Sequence, residues 1–269
     1  MISNIPRFYL GTLSPLENYW YMVLRKEISF DKSIPYHIIT RAVEGRKIFV
    51  NGEDCLRCIF QIYVANIGRP APHLHQKDLI KAALALLKGE DIPEKLIVVE
   101  HPPLVYILSF NEVINHNHFI LVPRVDWGIS KYMQNWKTGF AMYYNLKHSR
   151  QGNLFEKPYK IIPIQTNFQL DAVLNYVNVK NTLDVLQPSW REKGLKDWKG
   201  VFDSLGNYQF SSFPDLFGQR NSKILAPRQI IEKFFGKEIT TNKEDFLKFI
   251  RSYLQNQFRQ YYPFFLEEV

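Results

Sequence analysis

The chain has 269 residues, 46% of them hydrophobic and 22% charged, and its 34 Lys and Arg outnumber 26 Asp and Glu for a net charge of +8. That balance excludes a disordered polymer, and the cationic surplus points toward a polyanion such as nucleic acid or an acidic membrane surface. Two cysteines, Cys55 and Cys58, exclude a disulfide-stapled scaffold and suit a cytoplasmic protein.

Residues 1–33 are broken by Pro6, Arg7 and Pro15 and offer no apolar signal segment. Residues 34–41 alternate Tyr36, Ile38 and Thr40 against His37, Ile39 and Arg41, the pattern of a strand, and Glu44 to Lys47 form the turn after it. A helix starts near Asn51 and carries Leu56, Phe60 and Val64 along one side. Gly68-Arg69-Pro70-Ala71-Pro72 stops it, a second helix covers 77–88, and a short apolar run covers 96–99; together 67–101 read as an insertion. The most apolar stretch, 96–110, is interrupted by Glu100, His101, Pro102 and Pro103. It falls short of the roughly 20 residues that cross a bilayer, so a membrane partner is not expected.

Two apolar runs, 104–110 and 119–122, separated by 111–117, suit a hairpin of buried strands. A long amphipathic helix spans 126–147, with Ile129, Met133, Trp136, Phe140 and Tyr144 on one side. After the Gly152-Asn153 turn comes a strand at 159–164, and Asn167 caps a further helix running to about 182. The order β-α-β-β-α-β-α predicts an α+β fold of the ferredoxin-like split βαβ type, with an antiparallel sheet, an insertion after the first helix and a C-terminal helical extension. The expected division is an N-terminal segment 1–33, a catalytic domain 34–184 and an extension 185–269 with helices near 227–235 and 243–258.

The chemistry concentrates in Asn115-His116-Asn117-His118, which leads into the run at 119–122. Side chains two apart on a strand share a face, roughly 6 to 7 Å apart, so His116 and His118 can hold one metal ion. Two solvated strand-end histidines would give the same string. His73-Leu74-His75 has no strand to align it and reads as a polar lead into a helix. Cys55 and Cys58 share a helix face without two further ligands and read as small core residues, and His101 and His148 as surface residues.

A series of short motifs resembles the single-tyrosine HUH transposases, the insertion-sequence and REP-associated group. It comprises Thr40-Arg41, Glu44-Gly45-Arg46-Lys47-Ile48-Phe49, Asn-His-x-His, Trp136-Lys137-Thr138, Tyr143-Tyr144-Asn145, Gly152-Asn153-Leu154-Phe155 and Tyr176-Val177-Asn178-Val179, in the family's order across residues 34–184. The resemblance implies that His116, His118 and a third polar side chain bind a divalent metal, Mg²⁺ or Mn²⁺, at the scissile phosphate of single-stranded DNA folded into hairpins. It also implies that Tyr176 is the nucleophile and that the product is a 5′-phosphotyrosine. A phenol with pKa near 10 needs a cation nearby to favour its phenolate. The chain has no phosphate-binding G-x-x-x-x-G-K-[ST] loop, consistent with strand transfer that conserves phosphodiester energy without ATP.

Two positions depart from the family. Asn117 stands where an apolar residue is usual, and Lys180 stands four residues after the tyrosine, where Asn or Gln is the usual third ligand. An ammonium cannot ligate a metal; Asn181, one residue on, is the alternative third ligand if the helix shifts, while Asn178 points elsewhere. Arg41, Arg46, Lys47, Lys131 and Lys137 are candidate phosphate partners, and Trp136 and Trp198 candidate stacking surfaces. A homodimer is compatible with this reading. The alternatives are a degenerate relative that binds structured single strands without cutting, and an RNA-recognition domain, faintly echoed in Lys137-Thr138-Gly139-Phe140-Ala141.

Overall fold

The computed structural model describes residues 30–195 and 197–236. Strands β1 (Tyr36–Arg41), β4 (Val105–Val113), β5 (His116–Pro123) and β6 (Lys160–Pro163) form an antiparallel sheet in the order β4-β5-β1-β6. This is the ferredoxin-like arrangement expected from the α+β order. β2 (Gly68–Pro70) and β3 (Ile97–Val99) pair as a separate ribbon within the 67–101 segment, flanking helix α2 (Gln76–Lys88).

The hairpin is tighter than its hydrophobicity suggests. The polar stretch 111–117 is not a loop: β4 runs through Val113 and β5 begins at His116, so only Ile114 and Asn115 turn the chain. Polar residues extend the strands and are received on both sheet faces, Asn111 and His116 on one, Glu112 and Asn117 on the other. A register shift between Ile107 and Ser109 inserts one extra residue in β4, and such a bulge changes which face each later residue meets. Ile107 pairs with Leu121, but beyond the bulge Asn111 pairs with His118 and Val113 with His116. Across the next strand Ile39 pairs with His118 and Arg41 with His116. Directly opposed residues share a face, so Asn111, His118 and Ile39 form one rank and Val113, His116 and Arg41 the next.

Helices α1 (Gly52–Val64) and α3 (Gly128–Lys147) cover the other face. Asn51 accepts a hydrogen bond from the Glu53 amide at 2.8 Å and so caps α1. Ile38, Phe119, Ile59, Trp136 and Phe140 are buried between helices and sheet, and Gly139 lets the helices approach where a Cβ would meet Gln61 within 2.7 Å. Trp136 is fully buried against Phe119, Phe140 and Phe155, which removes it as a stacking surface. His148 is not a lone surface residue either: its Nε2 lies 3.0 Å from the buried carboxylate of Asp54, which also accepts from Tyr143 and Lys147. His73 and His75 are exposed ahead of α2.

The histidine face is covered by helix α4 (Asn167–Asn175), a π turn (Tyr176–Lys180) and α5 (Asn181–Leu186). Thr166, rather than Asn167, caps α4, exchanging hydrogen bonds with Gln169 in a capping box. Beyond it lie α6 (Trp190–Lys193), α7 (Trp198–Asn207), α8 (Phe213–Leu216) and α9 (Arg228–Phe235). The helix expected at 243–258 and residues 1–29 lie outside the described residues. Residues 208–212 run along β4: Glu112 N donates to Phe210 O, Ser212 N donates to Phe110 O, and the Tyr208 hydroxyl donates to Glu112 O. No helix among the described residues is long and apolar enough to cross a membrane.

Candidate nuclease site

Three imidazoles and a phenol meet on the sheet face that receives α4 and α5. The His116 and His118 rings are 4.8 Å apart, the His118 and Tyr176 rings 5.6 Å, and His37 of β1 lies 5.4 Å from His118 and 6.0 Å from Tyr176. His37, His118 and Tyr176 are fully buried and His116 nearly so. His37 was not singled out in the sequence. The available signal was its place on the Ile39 and Arg41 side of the first strand, the side that faces away from Ile38 and Thr40.

The π turn decides what stands beside these rings. In an α-helix the Asn181 amide would donate to Val177 O; here it donates to Tyr176 O instead. Asn111 of β4 donates from its side-chain amide to the vacated Val177 carbonyl and to Thr182 Oγ1 at 3.0 Å. The extra residue in the turn brings Asn181 round to the histidines, and its Nδ2 sits 2.9 Å from His118 Nε2. Asn181, one residue beyond Lys180, is thus the side-chain amide that lies against His118. Asn178 does point elsewhere: its amide donates to Ser109 Oγ and Leu174 O, and its oxygen accepts from Ser212 Oγ.

Lys180 Nζ lies 3.1 Å from Asn181 Oδ1, 3.2 Å from Asp184 Oδ2 and 4.7 Å from the centre of the Tyr176 ring. An ammonium can only donate, so Asn181 turns its oxygen to Lys180 and its NH₂ to His118 Nε2. His118 accordingly carries its proton on Nδ1 and donates it to His37 Nε2, 3.1 Å away. His116 Nδ1 is 2.6 Å from Asn115 Oδ1, an acceptor, so the neutral ring carries its proton on Nδ1 and has its lone pair on Nε2. Both histidines of the pair thus hold the tautomer a metal ligand needs, each fixed by an outer partner. Among the described residues no cluster of three or more His, Cys, Asp or Glu side chains is arranged to hold a metal. A donor set of two imidazoles and the Asn181 amide fits a divalent ion in composition, but the amide oxygen faces Lys180.

Asn117 lies on the opposite face, in register with Thr40 and Glu112, and its Nδ2 is 3.7 Å from Cys58 Sγ. Burial pushes Glu112 well above the usual carboxylate range and also raises both cysteine thiols, which lie against it. The polar middle residue of the His-x-His string therefore belongs to a buried cluster under α1.

Of the basic candidates, Arg41 stands beside His116 at the end of β1, and Arg46 and Lys47 are exposed in the turn that follows. Arg46 lies 3.7 Å from Glu44. The structure does not bring Lys137 to this face: on α3 it donates to Glu156 O and lies over Phe155 and Tyr159, and burial pushes its pKa down to about 8. Lys131 is exposed on the same helix, and the Trp198 side chain is outside the described part.

Fold and site together are those of an α+β protein presenting a His-x-His pair and a tyrosine across one sheet. Residues 93–180 match the family model for IS200-like transposases, so this segment, which holds both histidines and Tyr176, is similar to that family. A solved REP-associated tyrosine transposase bound to a REP hairpin is 13% identical, with 76% of this chain and 88% of that chain covered at a TM-score of 0.40. No curated protein matches the chain.

Proposed function

We propose that the protein is a transposase that cleaves and rejoins single-stranded DNA at hairpins through Tyr176. The observation that carries this reading is the convergence of Tyr176, His116, His118 and Asn181 from a strand and a helix far apart in sequence. In the proposed step the Tyr176 oxygen attacks phosphorus, the bond to the 3′ oxygen breaks, and that oxygen leaves as a 3′-hydroxyl with a proton. The enzyme keeps a 5′-phosphotyrosine, and attack by another 3′-hydroxyl reverses the step to complete transfer.

His116 Nε2, His118 Nε2 and Asn181 Oδ1 would hold Mg²⁺ or Mn²⁺, which supplies charge neutralisation at the scissile phosphate. His37 and Asn115 hold the two imidazoles in place, and Arg41, Arg46 and Lys47 offer cations to the flanking backbone. Lys137 contributes to packing of α3 instead. The reading also requires that Tyr176, buried in this structure, be uncovered when a strand binds.

Incubating the protein with single-stranded hairpin DNA and Mn²⁺ or Mg²⁺ tests it: a covalent protein–DNA adduct is expected from wild type and none from Tyr176→Phe. An adduct that persists in the phenylalanine variant overturns the role of Tyr176. The contact of Lys180 with Asn181 Oδ1 favours a second reading, a relative that binds structured single strands without cutting. In that case hairpin DNA binds and no adduct forms across many hairpins.

A further inference from the structure

Lys180 does more than occupy an unexpected position. Its side chain is buried, and among the described residues its ammonium reaches Asn181 Oδ1, Asp184 Oδ2 and the face of Tyr176. Asp184 is held in turn by Trp190, whose Nε1 donates to Asp184 Oδ1 at 2.8 Å. Trp190, Asp184, Lys180, Asn181, His118 and His37 are thus joined by a continuous line of hydrogen bonds and one ion pair that reaches the imidazole pair.

A side-chain amide has one oxygen and one nitrogen on opposite sides, so it cannot present its oxygen both to Lys180 and to a cation beside His118 Nε2. We propose that Lys180 is a latch on the metal site: by holding the Asn181 oxygen it keeps the amide in the orientation that disfavours a divalent cation, and releasing it frees the third ligand. The inference rests on the metal reading of His116 and His118. It assigns Lys180 an affinity-setting role, separate from any part in the chemical step.

The test is calorimetric titration of the purified protein with Mn²⁺ alone, with no DNA. Lys180→Met, which keeps the length and removes the charge, is expected to bind Mn²⁺ about tenfold or more tighter than wild type, within the 10- to 100-fold range of outer-partner effects on metal affinity. Lys180→Arg, which keeps a donor-only cation, is expected to show no such gain. Simple relief of charge repulsion would also tighten binding, so the same comparison is made in Asn181→Ala. A latch predicts that the gain from Lys180→Met disappears there.

A gain that survives Asn181→Ala, or Lys180→Met binding no tighter than wild type while melting at a similar temperature, overturns the latch. If Lys180→Met proves unstable, Lys180→Leu replaces it with the same expectations. His116→Ala separates the two levels of inference. Loss of Mn²⁺ binding in that variant upholds the metal site even when the latch fails, whereas binding that persists, or no binding by any variant, removes the metal reading itself and the latch with it.

Discussion

Asn111 donates its side-chain amide to the main-chain carbonyl of Val177, which the π turn deprives of the Asn181 amide, its α-helical partner. A strand residue thereby stabilises a helix irregularity, and that irregularity brings Asn181 to His118. Replacing Asn111 by Leu leaves a buried carbonyl without its donor, a loss of about 1–3 kcal/mol. It also removes the reason for the turn to stay wide. Denaturant unfolding is expected to show the stability loss, and adduct formation with hairpin DNA is expected to fall at least tenfold. Normal stability and activity in this variant would mean that the turn holds without Asn111.

His37 accepts the Nδ1 proton of His118. His37→Phe keeps a ring and removes the acceptor, and Mn²⁺ affinity is expected to drop about 10- to 100-fold, as for other outer partners of metal-bound imidazoles. His37→Gln restores an acceptor and is expected to recover part of that loss. Equal affinities for the two variants would make His37 a packing residue only.

Glu112 is fully buried, and burial holds its carboxyl well above the usual range, with the thiols of Cys58 and Cys55 acting in the opposite direction. Tyr208, also raised chiefly by burial, faces the same group. A group whose folded pKa is raised contributes stability below its unfolded pKa, about 4.3, and loses it as pH rises toward the folded value. Glu112→Gln removes that loss. Thermal melts between pH 5 and pH 8 are expected to show the variant gaining on wild type as pH increases, and a constant difference between them would contradict this.

Asp54 fixes α1 to α3. Burial raises its pKa, but hydrogen bonds from Lys147, Tyr143 and His148 outweigh it and leave the carboxyl below its usual range. Its contribution is therefore present above the unfolded pKa, about 3.9, and is lost as pH falls through the folded value. Asp54→Asn is expected to cost about 1–3 kcal/mol near neutrality. Urea unfolding of both proteins should show that difference shrinking as pH is lowered below 4.

Periodicity disclosed the element order, because alternation along β1 and helical spacing along α3 bring Ile38, Trp136 and Phe140 into one core. His116 and His118 were legible because alternation along a strand is a local rule. The bulge at Leu108 was not, since an unbroken apolar run looks the same with or without an extra residue, and without it Asn111 has no defined face. The π turn was equally hidden. Lys180 and Asn181 are adjacent in sequence, and the turn that presents Asn181 to His118 is held at Val177 by a hydrogen bond from Asn111, 66 positions from Val177. His37 needed the register of β1 against β5 before its contact with His118 could appear.

The segment 208–212 closes the β4 edge of the sheet through main-chain hydrogen bonds on both sides of Asn111. A strand edge left open invites another chain to continue the sheet. With β4 flanked from within, the other edge of this sheet among the described residues is β6, a four-residue strand that starts at Lys160 and ends at Pro163. A short edge bearing lysine and proline is a poor template, so among the described residues the four-stranded sheet offers a second copy little to continue.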